Sequence, residues 1–489
     1  MTTPNPKDAP LTPDLTQLLH TLNEVVELAQ QADRRPQSER MSVVVPAHLG
    51  ETWTAAPEET FRFAAVRADE VWAAISTVLD LGGEGATVWG LGDENVGGLS
   101  SLRSLVHGDF TYTSFPLSGP TYTTLSFPDG SAVRTPVVTL ALAEKDGSPQ
   151  AILFAAAQDQ DRGVLTVLGE GADATLAAVH EAMASSSLFS GQVVELHLDL
   201  DDMHGMRSTL TLLPRPEVTA DQIVLPEGLL GRVADHVHGI HDAASALREA
   251  GQHLRRGVLL YGPPGTGKTL LIRHLMSRPD VTVVVLRTLD NGQMRAAMEL
   301  ARTAQPALLV VEDTDLLLGE GPHGFEMHAL LEELDGLGGD ADIAVVLTTN
   351  DPAALLPSLN HRPGRIDLQV EVPLPDVEAR EKLFALYGAP LDLPSVDLLA
   401  AAEATDGASG AWIREVVRRE VLAAAREQRA PSGAGLLECI AGMRRDDEAV
   451  RSSVRDAAAG LDDGFEDDGF DEDGFEDDDF DDGEGEDYR

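Results

Sequence analysis

Cysteine occurs once in this chain, at Cys439, which excludes an intrachain disulfide framework and any cysteine-based metal site. Lysine is confined to Lys7, Lys145, Lys268 and Lys382, so positive charge is almost all arginine. Basic residues number 36 against 82 acidic ones, a net charge of -46 that repels phosphate backbones and disfavours general nucleic-acid binding. Long apolar runs are also missing. No stretch approaches the roughly 20 residues that a membrane-spanning helix needs, although hydrophobic residues make up 43% of the chain. Met1 to Pro10 is polar and lacks the basic and apolar regions of a secretory signal. A cytoplasmic location, without a membrane, is the expectation.

At 489 residues the chain exceeds one ordinary core, and composition divides it into five parts. Residues 1–40 are polar, apart from an amphipathic helical pattern over Pro13 to Ala32 that suits docking or assembly. From 41 to 220 short apolar runs alternate with Gly- and Asp-rich turns around one clear helix, Ala172 to Ser185. This reads as an α+β N-terminal domain that would recruit substrate or partner. His180-Glu181 begins like a helical zinc-protease motif, but Ala184 stands where the second histidine would fall. From 221 to 375 strand and helix patterns alternate, which predicts an α/β domain with a parallel sheet covered by helices on both faces. Residues 376–445 are helical, with Asp376 placed to cap the first turn after Pro375, and form a small lid. The last part, 446–489, ends in an acidic repeat with Phe465, Phe470, Phe475 and Phe480 every five residues. Such a tail cannot bury a core, so disorder is expected there. Its spaced phenylalanines also suit docking on a basic, apolar groove.

The strongest chemical signal is Gly262-Pro263-Pro264-Gly265-Thr266-Gly267-Lys268-Thr269, set between the apolar strand Val258 to Tyr261 and the helix that opens at Leu270. Glycines let backbone amides turn inward around phosphate oxygens, and the helix N-terminus adds its positive dipole end. Lys268 would reach the β- and γ-phosphates, and Thr269 would offer its hydroxyl to Mg2+. Leu270 completes the nucleotide-contacting run. A second apolar strand, Ala307 to Val311, ends in Glu312-Asp313. Carboxylates at the end of a parallel strand lie beside the phosphate crevice, where one can hold the metal through water and the next can activate the attacking water. Glu312 takes the first role and Asp313 the second. A third strand, Ile343 to Thr348, leads to Asn350, and His361-Arg362-Pro363-Gly364-Arg365 follows.

This series of motifs, together with Leu330 to Gly336 and Thr349-Asn350, resembles the AAA ATPases over about Leu225 to Met443. The resemblance implies ATP and Mg2+ as ligands and a P-loop AAA core with a helical lid. It makes Asn350 the polar sensor of the γ-phosphate, and Arg362 and Arg365 arginine fingers that reach a neighbouring subunit. A guanidinium on the transferring phosphoryl group would stabilise charge that develops in the transition state. Gly410 and Ala411, in the run Thr405 to Ala411, resemble the pair that lies against the base or ribose, although helix capping by Ser409 would give much the same sequence.

Two departures stand out. Most AAA motors read Asp-Glu where this chain reads Glu312-Asp313, an order that resembles the subgroup of the mitochondrial Rieske-protein translocase, without that protein's membrane helix. The loop Thr288 to Gln293 carries no aromatic residue where classical unfoldases grip a strand. His236, His238 and His241 form no ligand set at helical spacing and read as polar positions near the pocket. The expected function is therefore a homo-oligomeric ATPase ring, hexameric by resemblance, that remodels or disassembles protein clients. The alternative is a nucleotide-gated assembly scaffold or timer with weak hydrolysis.

Overall fold

The computed structural model describes residues 40–91, 101–107, 117–159, 162–185, 187–201, 205–287, 291–314, 340–353, 366–391 and 394–462. The expected helix over Pro13 to Ala32, the acidic phenylalanine repeat, Thr288 to Asp290, Leu330 to Gly336, Arg362 and Arg365 lie outside these residues. The chain divides into two compact units, residues 1–375 with Ser409–Ala411, and the remainder from Asp376.

In the first unit, strands β1 to β8 are Glu58–Ala64, Thr87–Leu91, Leu117–Ser118, Tyr122–Ser126, Ala132–Pro136, Val138–Lys145, Ser148–Asp159 and Arg162–Gly169. Six of them form an antiparallel sheet in the order β1-β8-β7-β6-β2-β3, and β4 pairs with β5 as a separate hairpin. Both faces of the sheet are apolar, and each receives helices. Helices Ala68–Val78 and Ala172–Ser185 bring Val71, Ile75, Leu176 and Val179 against Ile152, Phe154, Leu165 and Val167. Helices Met41–Leu49 and Leu102–His107 bring Val45, Leu102 and Leu105 against Leu140, Leu153 and Ala155 on the other side.

Strands β9 to β15 are Val193–Asp201, Gly205–Leu213, Arg256–Tyr261, Thr282–Leu286, Ala307–Val311, Ile343–Thr349 and Leu368–Glu371. They form one sheet in the order β10-β9-β12-β13-β14-β11-β15, parallel except for the β9–β10 hairpin. Every residue of β12, β13 and β14 is buried, because helices cover both faces. Leu271, Ile272 and Leu275 from helix Lys268–Met276 pack on one face. Met294, Ala297, Met298 and Ala301 from helix Asn291–Thr303 pack on the other. Each fully buried Leu or Val side chain here contributes about 1.5–3 kcal/mol.

The expected domain boundary at 220 does not coincide with this sheet. Val193 pairs with Val283 and Leu196 with Leu286, so β9 adds itself in parallel to β12 and carries β10 with it. Strands β9 and β10 thus belong to the α/β sheet. The upstream layer is joined to it further by Val66 and Leu125 in the core around helix Asn291–Thr303, and by Arg67, which donates to Glu70 at 2.8 Å and to Glu299 at 3.1 Å. After β10, Arg215 donates to the carbonyls of Met276, Arg278, Gly191 and Val281 at 2.5–2.9 Å, tying the exit of the hairpin to the end of helix Lys268–Met276.

His238, in the helical stretch before β11, donates to the Leu275 carbonyl at 3.1 Å. Burial, with the nearby Arg278 charge, lowers its pKa to about 4. The unfolded chain protonates near 6.5, so between about pH 6.5 and 4 it binds more protons than the folded one, and stability falls as pH falls through that window. His238→Gln is expected to flatten this slope by on the order of 1 kcal/mol, the group being partly exposed, in chemical denaturation at pH 7 and pH 4.5. An unchanged slope would assign the pH response to other groups.

The second unit is helical: Val377–Gly388, Ser395–Glu403, Gly410–Arg426 and Gly433–Asp462. Asp376 accepts from the Ala379 N–H at 2.8 Å as N-cap of the first helix. Fully buried Glu420 receives both Nη atoms of Arg429, at 2.6 and 3.0 Å, and the Ser432 N–H at 2.8 Å. The last helix runs to Asp462, so the tail expected from 446 begins later than its polarity suggested.

Candidate functional site

The phosphate-type loop leaves β11 where the order of strands reverses, since the chain passes from β11 to β12 on the side of β14 and from β14 to β15 on the other side. In open parallel sheets a crevice forms at such a switch point beyond the carboxyl ends of the strands. Two glycines are required by contact as well as by backbone. Gly262 has φ +143°, and a Cβ there would run into the Val372 carbonyl. Gly265 has φ +76°, and a Cβ there would lie 2.8 Å from Ser409 Oγ and 2.9 Å from Ala411 Cβ. The Ala411 N–H donates to the Gly265 carbonyl at 3.1 Å, so Ala411, and with it the Ser409–Ala411 segment, lies against the loop. Thr266 Oγ1 braces the turn by donating to the Pro263 carbonyl at 2.9 Å.

Lys268, nearly fully buried, donates through Nζ to the carbonyls of Gly262 and Pro263 at 2.7 and 3.0 Å and to Asn350 Oδ1 at 2.8 Å. The same Asn350 donates through Nδ2 to Asp313 Oδ1 at 3.5 Å. One amide thus spans the lysine of the loop and the second acid of β13. Thr269, at the first turn of helix Lys268–Met276, is exposed beside the loop, as are Pro263 and Pro264, and Leu270 is half-buried behind it.

Asp313 stands at φ +49°, a left-handed conformation that few residues with a side chain adopt, aspartate among them. Its N–H donates to Thr348 Oγ1 at 2.8 Å, and Thr314 Oγ1 donates to the Thr348 carbonyl at 2.8 Å. Thr348 and Thr314, both buried, therefore hold the turn at Asp313, which is itself exposed. These threonines were not singled out by the sequence; a Thr pair ending an otherwise aliphatic strand is the available signal.

Glu312 is half-buried, and its Oε1 is buried without a hydrogen-bond partner. An unsatisfied carboxylate oxygen at the end of β13 and an exposed threonine hydroxyl at the phosphate-type loop are the kinds of hard oxygen donor that Mg2+ takes, so these residues fit the metal. Its other oxygen lies 4.0 Å from Arg287 Nη1, and Arg287 Nε donates to Glu195 on β9 at 2.5 Å. Glu195 carries no signal in the sequence, because nothing local links β9 to β12. His238 and His241 donate to Leu275 and to Asp342. Arg362 and Arg365 lie outside the described residues.

Residues 258–374 match the family model described as ATPase family associated with various cellular activities (AAA). The chain is 31% identical over 236 residues to a proteasome-activating nucleotidase of Pyrococcus horikoshii, covering 45% of this chain and 59% of that protein. It is 32% identical over 233 residues to a proteasome-activating nucleotidase of Methanopyrus kandleri, covering 44% and 53%. It is 33% identical over 231 residues to the ATP-dependent zinc metalloprotease FtsH of Acidimicrobium ferrooxidans, covering 43% and 35%. The chain thus spans about half the length of the nucleotidases and a third of the metalloprotease. Among the described residues no helix is long and apolar enough to cross a membrane.

Proposed function

We propose that this chain, whose residues 258–374 form an AAA ATPase domain, hydrolyses ATP in a Mg2+-dependent manner within a ring of identical subunits, and that the ring remodels or disassembles protein partners. The observation that carries this reading is the convergence of Lys268, Asn350 and Asp313 at the carboxyl edge of a parallel sheet, on the rim of a glycine loop. Lys268 binds the β- and γ-phosphates, exchanging part of its carbonyl contacts for phosphate oxygens. Asn350 orients the attacking water between the γ-phosphate and Asp313, and Asp313 accepts the proton. Bound Mg2+ would supply electrostatic stabilisation of phosphate charge, and Thr269 and Glu312, through water, are the residues that would hold it. Ala411 lies against the loop, and it and Gly410 are the residues that would meet the base or ribose. Protein clients are supported by the relatives' names, proteasome activation and proteolysis, and by a sizeable upstream layer available to recruit them.

One feature favours a nucleotide-gated scaffold or timer with weak hydrolysis: the shorter acid, Asp313, stands where the water must be activated. Steady-state ATP hydrolysis against protein concentration, with mass photometry on the same samples, separates the two. A motor is expected to gain turnover per subunit as rings assemble, and Arg365→Ala to lose that gain while still binding nucleotide. ATP-dependent assembly with negligible turnover, also in the presence of protein partners, would install the scaffold reading instead.

A further inference from the structure

We propose that Glu195 is a positioning residue for the metal-side carboxylate Glu312, acting through Arg287, so that the β9–β10 hairpin sets how readily the site takes Mg2+. The proposal rests on the ATPase reading given above. Its basis is a line of charges across three neighbouring strands. Glu195 lies opposite Val285 in the β9–β12 pairing, Arg287 follows the end of β12, and Glu312 follows the end of β13. The guanidinium is shared unequally. Its Nε donates to Glu195 Oε1 at 2.5 Å, whereas its Nη1 stops 4.0 Å from Glu312 Oε2. His197 Nε2 stands 3.3 Å from the second oxygen of Glu195, so this acid has polar neighbours on both oxygens.

Burial decides which partner wins. The Glu195 side chain is 11% exposed and that of Glu312 20%, while Arg287 is 58% exposed. A carboxylate at Glu195 without its arginine would be costly, so Glu195 holds Arg287 and keeps it from closing on Glu312. Among the described residues Glu312 is thereby left with an unpartnered Oε1 and Arg287 as its distant cation, the state in which a divalent ion can use it. Neutralising Glu195 leaves Arg287 with Glu312 as its remaining close acid among the described residues. The guanidinium then competes with Mg2+ for the same carboxylate. Because Glu195 belongs to the hairpin that joins the upstream layer to the sheet, a shift of that hairpin would act on the metal side of the site by the same route.

The test titrates Mg2+ into the full chain with a fluorescent N-methylanthraniloyl ATP, for the parent, Glu195→Gln, Arg287→Ala and the double variant. Glu195→Gln is expected to raise the Mg2+ concentration for half-saturation about tenfold, the low end for groups that support a metal ligand from outside the coordination sphere. Binding without Mg2+ should be unchanged. Arg287→Ala should lower the requirement, its fold being checked by circular dichroism because it leaves Glu195 without its arginine, and in the double variant, which leaves no such unpaired carboxylate, it should remove the effect of Glu195→Gln. An unchanged requirement in both single variants, or a double variant that keeps the full Glu195→Gln increase, would overturn the route through Arg287. A parent chain that binds the nucleotide with no response to Mg2+ would overturn the ATPase reading, and this proposal with it.

Discussion

Asp313→Asn should assemble and bind ATP as the parent does, yet turn over about 10²–10⁴-fold more slowly, the usual contribution of a positioned general base. The substitution isolates the chemistry because asparagine shares both the shape of aspartate and its tolerance of the left-handed backbone at φ +49°. The N–H contact to Thr348 Oγ1 at 2.8 Å is a main-chain bond and survives the change, and the Asn350 amide keeps an oxygen to face. What disappears is the ability to accept a proton from water. The same backbone gives a physical setting for the reversed Glu312-Asp313 order, since the left-handed position favours the shorter acid, whose side chain can interact locally with the backbone. Phosphate release and equilibrium nucleotide binding, measured on the same preparation, check the prediction. Parent-like turnover in the variant would move the base role to another group, and weakened binding in step with turnover would make Asp313 a binding residue instead.

Much of the candidate site is legible in the sequence because its strands are buried on both faces. Val258–Tyr261, Ala307–Val311 and Ile343–Thr348 read as continuous apolar runs, and the chemistry-bearing residues follow directly at their ends. Lys268, Asn350 and Asp313 can therefore be assigned to one edge before any coordinates exist. The β9–β10 hairpin is different. Its apolar runs resemble those of β6 to β8, and a strand pattern specifies that a strand forms, not which partner it takes. Only the pairing of Val193 with Val283, 90 positions apart, removes β9 from the upstream layer. The Glu195–Arg287–Glu312 line and the support of Asp313 by Thr348 are hidden for the same reason, as each depends on strands brought side by side by the fold. The full length of helix Gly433–Asp462 is hidden for a different reason: Asp446 to Arg455 is polar enough to read as tail, yet its Ala, Arg and Glu are good helix formers.

At the opposite end of the sheet, a change of comparable size should act on stability alone. Arg256 begins β11 and Asp342 immediately precedes β14, so both mark the amino edge, away from the loop. Their ion pair is 2.5 Å long, with 3% and 5% of the side chains exposed. Arg256 also donates to the carbonyls of Val237 and Leu254 at 2.8 Å, while Asp342 accepts from His241 at 2.5 Å and its N–H donates to Gln305 at 2.7 Å. Asp342→Ala strands a buried guanidinium and is expected to cost about 3–5 kcal/mol, whereas replacing both partners, as Arg256→Met with Asp342→Leu, should recover most of that loss. Denaturant unfolding of the α/β unit measures both. Since typical domains are stable by only about 5–15 kcal/mol, the single variant should be marginal at 37 °C, yet its folded fraction should bind ATP with the parent's affinity. Reduced affinity per folded molecule would mean that the amino edge communicates with the nucleotide loop along β11, and a small loss of stability would mean that water reaches Arg256 once Asp342 is gone.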